Sequence, residues 1–125
     1  LHENLLEGDI PAEIGDLFSL TLISFRGNNF TGSVHPSIFN ISTLQIVDLS
    51  INRFSGELPD NLGHGVPKLE RLFLDSNRFT GKIPVSLSNA SKLNSLFFTD
   101  NDLRGNIPGE LGGLLELQWL EFEYN

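Results

Sequence analysis

The chain is 125 residues long, with 16 Asp and Glu against 8 Lys and Arg, and no cysteine. That length makes one domain, and the acidic balance without a basic stripe excludes a nucleic-acid reader that works by neutralising phosphates. Without thiols there is neither a disulfide frame nor a cysteine nucleophile.

From the amino end, Asn4, Asn28, Asn52, Asn77, Asn101 and Asn125 recur at spacings of 24, 24, 25, 24 and 24 residues, so the chain is five repeats of about 24 residues. Two positions after each Asn stands Leu6, Phe30, Phe54, Phe79 or Leu103, and four positions after it Gly8, Gly32, Gly56, Gly81 or Gly105. The Gly suits a backbone with positive φ or a close approach between coils. At +6 come Ile10, Val34, Leu58, Ile83 and Ile107, followed at +7 by Pro11, His35, Pro59, Pro84 and Pro108. The one exception, His35, is itself followed by Pro36.

The second half of each repeat carries Ile14, Ile38, Leu62, Leu87, Leu111, then Leu20, Leu44, Leu69, Leu93, Leu117. It ends on pairs of apolar residues one position apart: Ile23 and Phe25, Val47 and Leu49, Leu72 and Leu74, Leu96 and Phe98, Leu120 and Phe122. Such a pair is the period-2 mark of a short strand with one buried face. A single repeat cannot bury its own apolar side, so the columns are expected to stack into a coil with a continuous core. Six of the ten Phe, at positions 25, 30, 54, 79, 98 and 122, fall on those columns and are read as packing. A polar Asn in such a coil must be hydrogen-bonded, and a ladder of Asn side chains would serve backbone groups that the sharp turn after each strand leaves unpaired.

The segment "LERLFLDSNRFTGKIPVSL" from Leu69 resembles the plant-specific leucine-rich repeat, with the pattern LxxLxLxxNxLxGxIPxxLGxL, and the likeness covers the whole chain. "SLSNAS" and the one-residue insertion before "VPKLERL" resemble the receptor-like kinase subfamily that holds immune receptors for flagellin, for elongation factor and for bacterial blight. Departures from the pattern are His35 for Pro, Phe39 and Ser88 for Gly, and Ala90 for a larger apolar residue. The resemblance implies an α/β repeat solenoid: a right-handed coil with parallel strands on a concave face and short 3-10 or irregular turns on the convex one. It also implies that residues 1–125 are an internal piece of a longer ectodomain, without the Cys-bearing caps of the family. Any transmembrane helix or kinase would then lie outside this chain.

No catalytic constellation, metal site or cofactor motif is read from the residues. His2, His35 and His64 sit apart on turns or flanks, and the pair Glu121 and Glu123 reads as a solvated strand edge. Function in a solenoid falls to the strand residues that point away from the core. Those are Ser24, Asp48, Phe73, Phe97 and Glu121 in one column and Leu22, Ile46, Arg71, Ser95 and Trp119 in another. Aromatics and Arg are enriched at recognition hot spots, which makes Arg71, Phe73, Phe97, Trp119 and Glu121 the candidate ligand-binding set, with Phe73 and Phe97 about 5 Å apart on adjoining rungs. Three Asn-x-Ser/Thr sequons, at Asn29, Asn40 and Asn89, are candidate glycosylation sites; Asn40 and Asn89 share the +12 position of their repeats, away from the strand face. The resemblance implies a peptide or protein ligand and a co-receptor ectodomain as partners, no nucleic acid, no catalysis in this segment, and a place on the extracellular face of the plasma membrane. Two further readings stand beside it: a secreted enzyme inhibitor similar to polygalacturonase-inhibiting proteins, and a structural or intracellular scaffold.

Overall fold

Because each repeat supplies one apolar pair in extended backbone, successive repeats can pair only in parallel, one turn of the coil apart. The computed structural model describes residues 4–125, so Leu1 and His2 lie outside the described residues. In chain order its strands are β1 (Glu7–Gly8), β2 (Leu22–Ser24), β3 (Asn29–Phe30), β4 (Ile46–Asp48), β5 (Ser55–Glu57), β6 (Arg71–Phe73), β7 (Arg78–Thr80), β8 (Ser95–Phe97) and β9 (Trp119–Glu121). The main sheet is parallel, in the order β2, β4, β6, β8, β9, and its register sets the expected columns side by side: Ile23 with Val47, Val47 with Leu72, Leu72 with Leu96, Leu96 with Leu120.

The remaining strands form two further parallel pairs, β1 with β3 and β5 with β7, just after the Asn turn. Period-2 reading gives no warning of them. They are two or three residues long, and their hydrogen bonds follow from stacking of the turns: Thr31 N–H donates to the Gly8 carbonyl and Arg78 N–H to that of Phe54.

The far side of the coil holds 3-10 turns and, among the described residues, no α-helix: Ala12–Asp16, Pro36–Asn40, Val85–Asn89 and Gly109–Gly113. Each begins straight after the +7 residue, whose fixed φ suits an extended entry. His35 does the same work by another route, since its ring nitrogen accepts from the Ser37 N–H while Pro36 takes the first position of the turn. The 25-residue repeat carries irregular turns instead at 60–64, and its Gly63 and Gly65 allow the neighbouring coils to approach. A Cβ on Gly63 would run into the Ser86 carbonyl oxygen, and one on Gly65 into that of Phe39.

The core fills the space between sheet and turns. Val47, Leu49, Phe54, Leu69, Leu72, Leu74, Phe79, Leu96 and Phe98 are fully buried, and the +2 rings stack along the coil at 6.0 Å (Phe30 to Phe54) and 6.2 Å (Phe54 to Phe79). Phe39 and Ala90, two of the departures from the repeat pattern, are also buried. At the outermost rungs the columns lose their cover, so Leu6, Ile107 and Leu120 are exposed although they continue core columns.

The Asn ladder forms as expected. Asn77 Oδ1 accepts from the Phe54 N–H at 3.0 Å, while its Nδ2 donates to the carbonyls of Leu49, Leu74 and Asp75. Asn52 and Asn101 repeat that pattern one turn away on either side, and Asn125 two turns on. The sharp turn places the residue before the Asn at positive φ: Gly27 at 66°, but also Ile51 at 55°, Ser76 at 51°, Asp100 at 58° and Tyr124 at 54°. For a β-branched residue such as Ile51 this is an outlier, costing on the order of 1–3 kcal/mol and tolerated because the ladder on either side fixes the turn.

Candidate functional site

The same alternation that buries Leu72 and Leu96 turns their neighbours outward, so β6 presents Arg71 and Phe73, β8 presents Phe97, and β9, in register with them, presents Trp119 and Glu121. The five candidate residues therefore meet on one sheet face. The rings of Phe73 and Phe97 stack with centroids 5.1 Å apart and planes 26° from parallel. Each is half-buried, because each covers one side of the other. Trp119 keeps 54% of its surface exposed and Arg71 is also exposed. Together with Ser95 these side chains line an open groove of about 480 Å³.

Ser95, expected to face solvent with Arg71 and Trp119, is buried. It lies between those two much larger residues in register, and its hydroxyl donates to Asn94 Oδ1 at 2.7 Å. A small side chain between two large ones becomes the floor of the groove.

Carboxylates bracket the aromatic pair. Asp48 stands beside Phe73 in the register of β4 and β6, and Glu121 beside Phe97 in that of β8 and β9. Asp48 Oδ1 accepts from the backbone N–H and the hydroxyl of Ser50, whose oxygen also accepts from Arg26. Asp75, two residues past Phe73, was not in the predicted set. Extending the outward alternation one step beyond the strand would have found it.

Burial pushes the Asp75 carboxyl above its ordinary value of 3.8; hydrogen bonds from the Thr99 N–H and from its own backbone oppose the shift, and the charges of Glu121 and Asp48 add to it. A carboxyl with its folded pKa raised is favoured when protonated. Its contribution to stability is full below the unfolded value and is lost as pH rises through the folded one. Asp75→Asn keeps an acceptor for the Thr99 N–H and is expected to raise the melting temperature at neutral pH. The gain should vanish in melts recorded below pH 3.8.

The sequons differ in surroundings. Asn40 is exposed at the end of its 3-10 turn, with Oδ1 accepting from Asn61. Asn89, at the equivalent place, is exposed too, with Nδ2 donating to the Ser86 carbonyl at 2.9 Å. Asn29 lies within β3 and is half-buried. Among the described residues no cluster of His, Asp and Glu could hold a metal ion, and no helix is long and apolar enough to cross a membrane. A second groove, of about 490 Å³, is walled by Ile83, Leu103 and Phe122, and is the uncovered edge of the last core rung.

Residues 43–64 and 68–90 match the Leucine Rich Repeat family model. The coil is a leucine-rich-repeat solenoid. Its homologues are receptor-like proteins and receptor kinases of Arabidopsis thaliana. Receptor-like protein 14 is 39% identical over 70 residues, which are 55% of this chain and 7% of that protein. Among solved structures, the ectodomain of the Arabidopsis thaliana receptor kinase GASSHO1/SCHENGEN3, in complex with CASPARIAN STRIP INTEGRITY FACTOR 2, superposes with a TM-score of 0.92 at 38% identity, over 95% of this chain and 14% of that one. The Arabidopsis receptor kinase HAESA, in complex with the peptide hormone IDA and the co-receptor SERK1, gives 0.92 at 37% identity, over 96% and 20%. The leucine-rich-repeat chain thus spans only a small part of the relatives it matches.

Proposed function

We propose that this leucine-rich-repeat chain is a ligand-recognition segment of the extracellular part of a plant receptor-like protein or receptor kinase, exposed at the cell surface. The observation that carries the reading is the stacked, half-exposed Phe73 and Phe97 pair, with Arg71, Trp119 and Glu121 around it, on the outward face of the sheet. Exposed aromatics gathered at the centre of a face are the usual anchors of protein recognition. The partners in this reading are a peptide or protein ligand and a co-receptor ectodomain, as in the HAESA complex. The segment itself performs no chemistry, and a kinase, where the parent protein has one, lies in another domain. Residues 1–125 are five internal repeats of that longer ectodomain, serving immune or developmental signalling.

Secretion is tested by expressing the parent protein in a plant secretory pathway and mapping glycopeptides by mass spectrometry. Asn40 and Asn89 are expected to carry glycans, both lying on the turn side where sugars leave the sheet face clear. Asn29, within β3, is expected to be bare. Bare Asn40 and Asn89 together would favour the intracellular scaffold and overturn the receptor reading.

A further inference from the structure

We propose that the sheet face takes an extended peptide of the pattern Lys/Arg-x-apolar-x-Lys/Arg, its apolar side chain seated on Phe73 and Phe97 and its two basic side chains reaching Asp48 and Glu121. The inference rests on the strand-face reading above and adds the chemistry of the ligand.

The register of the sheet supplies the spacing. Asp48 pairs with Phe73, Phe73 with Phe97, and Phe97 with Glu121, so one outward column reads acid, aromatic, aromatic, acid across four successive strands. Strands in a sheet lie about 4.8 Å apart, which puts each carboxylate about 7 Å from the centre of the aromatic pair. Side chains on one face of an extended peptide recur every ~6.7 Å. A peptide crossing the strands thus meets acid, aromatic pair and acid at its positions i, i+2 and i+4. Running along the strands it would not, since each is three residues long, about 10 Å, while the column spans about 14 Å.

Charge selects the basic residues. Asp48 engages one carboxylate oxygen with Ser50 and leaves Oδ2 without a hydrogen bond. Glu121 is exposed and its side chain has no hydrogen bond, while the only ion pair among the described residues, Lys92 with Glu116, lies elsewhere. Asp75 adds a third carboxylate in the neighbouring column, where burial raises its pKa first and the charges of Glu121 and Asp48 add to the shift. Arg71, in the column on the other side, repels a basic side chain and so confines the peptide to the line from Asp48 to Glu121. Lys and Arg also carry apolar stems that can lie along the rings while their heads reach the carboxylates.

The probe is the peptide acetyl-Gly-Lys-Ser-Phe-Ser-Lys-Gly-amide, its own NMR signals followed as it is titrated with the parent ectodomain that carries these repeats, alongside the same peptide with Glu in place of both Lys. The Lys peptide is expected to bind roughly tenfold more tightly, about what two partly exposed ion pairs contribute together. In the double variant Asp48→Asn, Glu121→Gln that preference should disappear, with an unchanged melting temperature showing that the fold is intact. Equal or tighter binding of the Glu peptide, lost on Phe73→Ala with Phe97→Ala, would overturn the basic pattern and leave the strand-face reading standing. If neither peptide binds, the basic pattern is overturned, and the receptor reading is decided by the glycopeptide map.

Discussion

Replacing Leu74 by Ala is expected to lower stability by about 2–5 kcal/mol, through lost transfer energy and the cavity left behind. Leu74 is fully buried, and its column neighbours Leu49 and Phe98 are held on adjacent rungs and cannot collapse into the gap. Phe73, one residue before it in the chain, should behave in the opposite way. With Phe97 it is only half-buried, so truncating either ring is expected to cost no more than about 1 kcal/mol, most of it the stacking between the two. The double Phe variant should instead weaken the Lys peptide by about 2 kcal/mol or more. Thermal melts beside NMR titrations of the Leu74 variant and the single and double Phe variants give the comparison. An early melt of the double Phe variant would refute the assignment of faces, and a normal melt with normal binding would remove the proposed site while keeping the fold.

Asn77→Ala should be comparably damaging, at about 3 kcal/mol, although the residue is polar and lies at a turn. Its side-chain oxygen accepts from the Phe54 N–H, and its amide nitrogen bridges carbonyls of two coils, Leu49 on one and Leu74 and Asp75 on its own. Leaving a buried donor unpaired costs about 1–3 kcal/mol by itself. Asn77→Asp separates the two halves of this function, since a carboxylate still accepts from Phe54 but faces three carbonyl oxygens with no proton to give. Its folded pKa is therefore raised, and the sign of the linkage makes the variant weakest at neutral pH and partly rescued as acid protonates it. Chemical denaturation at neutral and acidic pH checks this: near-wild-type stability of Asn77→Asp at both pH values would show that donation to the carbonyls does not matter.

Much of this architecture was legible in the sequence because a solenoid is nearly one-dimensional, each repeat touching mainly its neighbours. The interval between Asn residues gave the turn length, the apolar pairs gave the main sheet, and alternation gave the outward columns, including the Phe73 and Phe97 contact. The +4 Gly column suits positive φ or a close approach between coils, and all five members have φ between 71° and 90°. Positive φ at Ile51, Ser76, Asp100 and Tyr124 was not legible, because those residue types do not mark it. The ladder imposes that conformation on whatever residue precedes the Asn.

What only the tertiary structure decided were properties that depend on the size of a neighbour one turn away. Ser95 is buried by its place between Arg71 and Trp119, and Asp75 titrates high because the coil partly buries it near Asp48 and Glu121. The strands β1, β3, β5 and β7 exist because stacked turns bring backbone groups into reach, with no pattern of side chains to announce them. Sequence by itself determined the repeat, the core columns and the side of the sheet that faces out, since these follow from polarity at fixed intervals along one chain. Exposure, ionisation and the spacing of acids about the aromatic pair were set by contacts between repeats, which a single repeat does not contain.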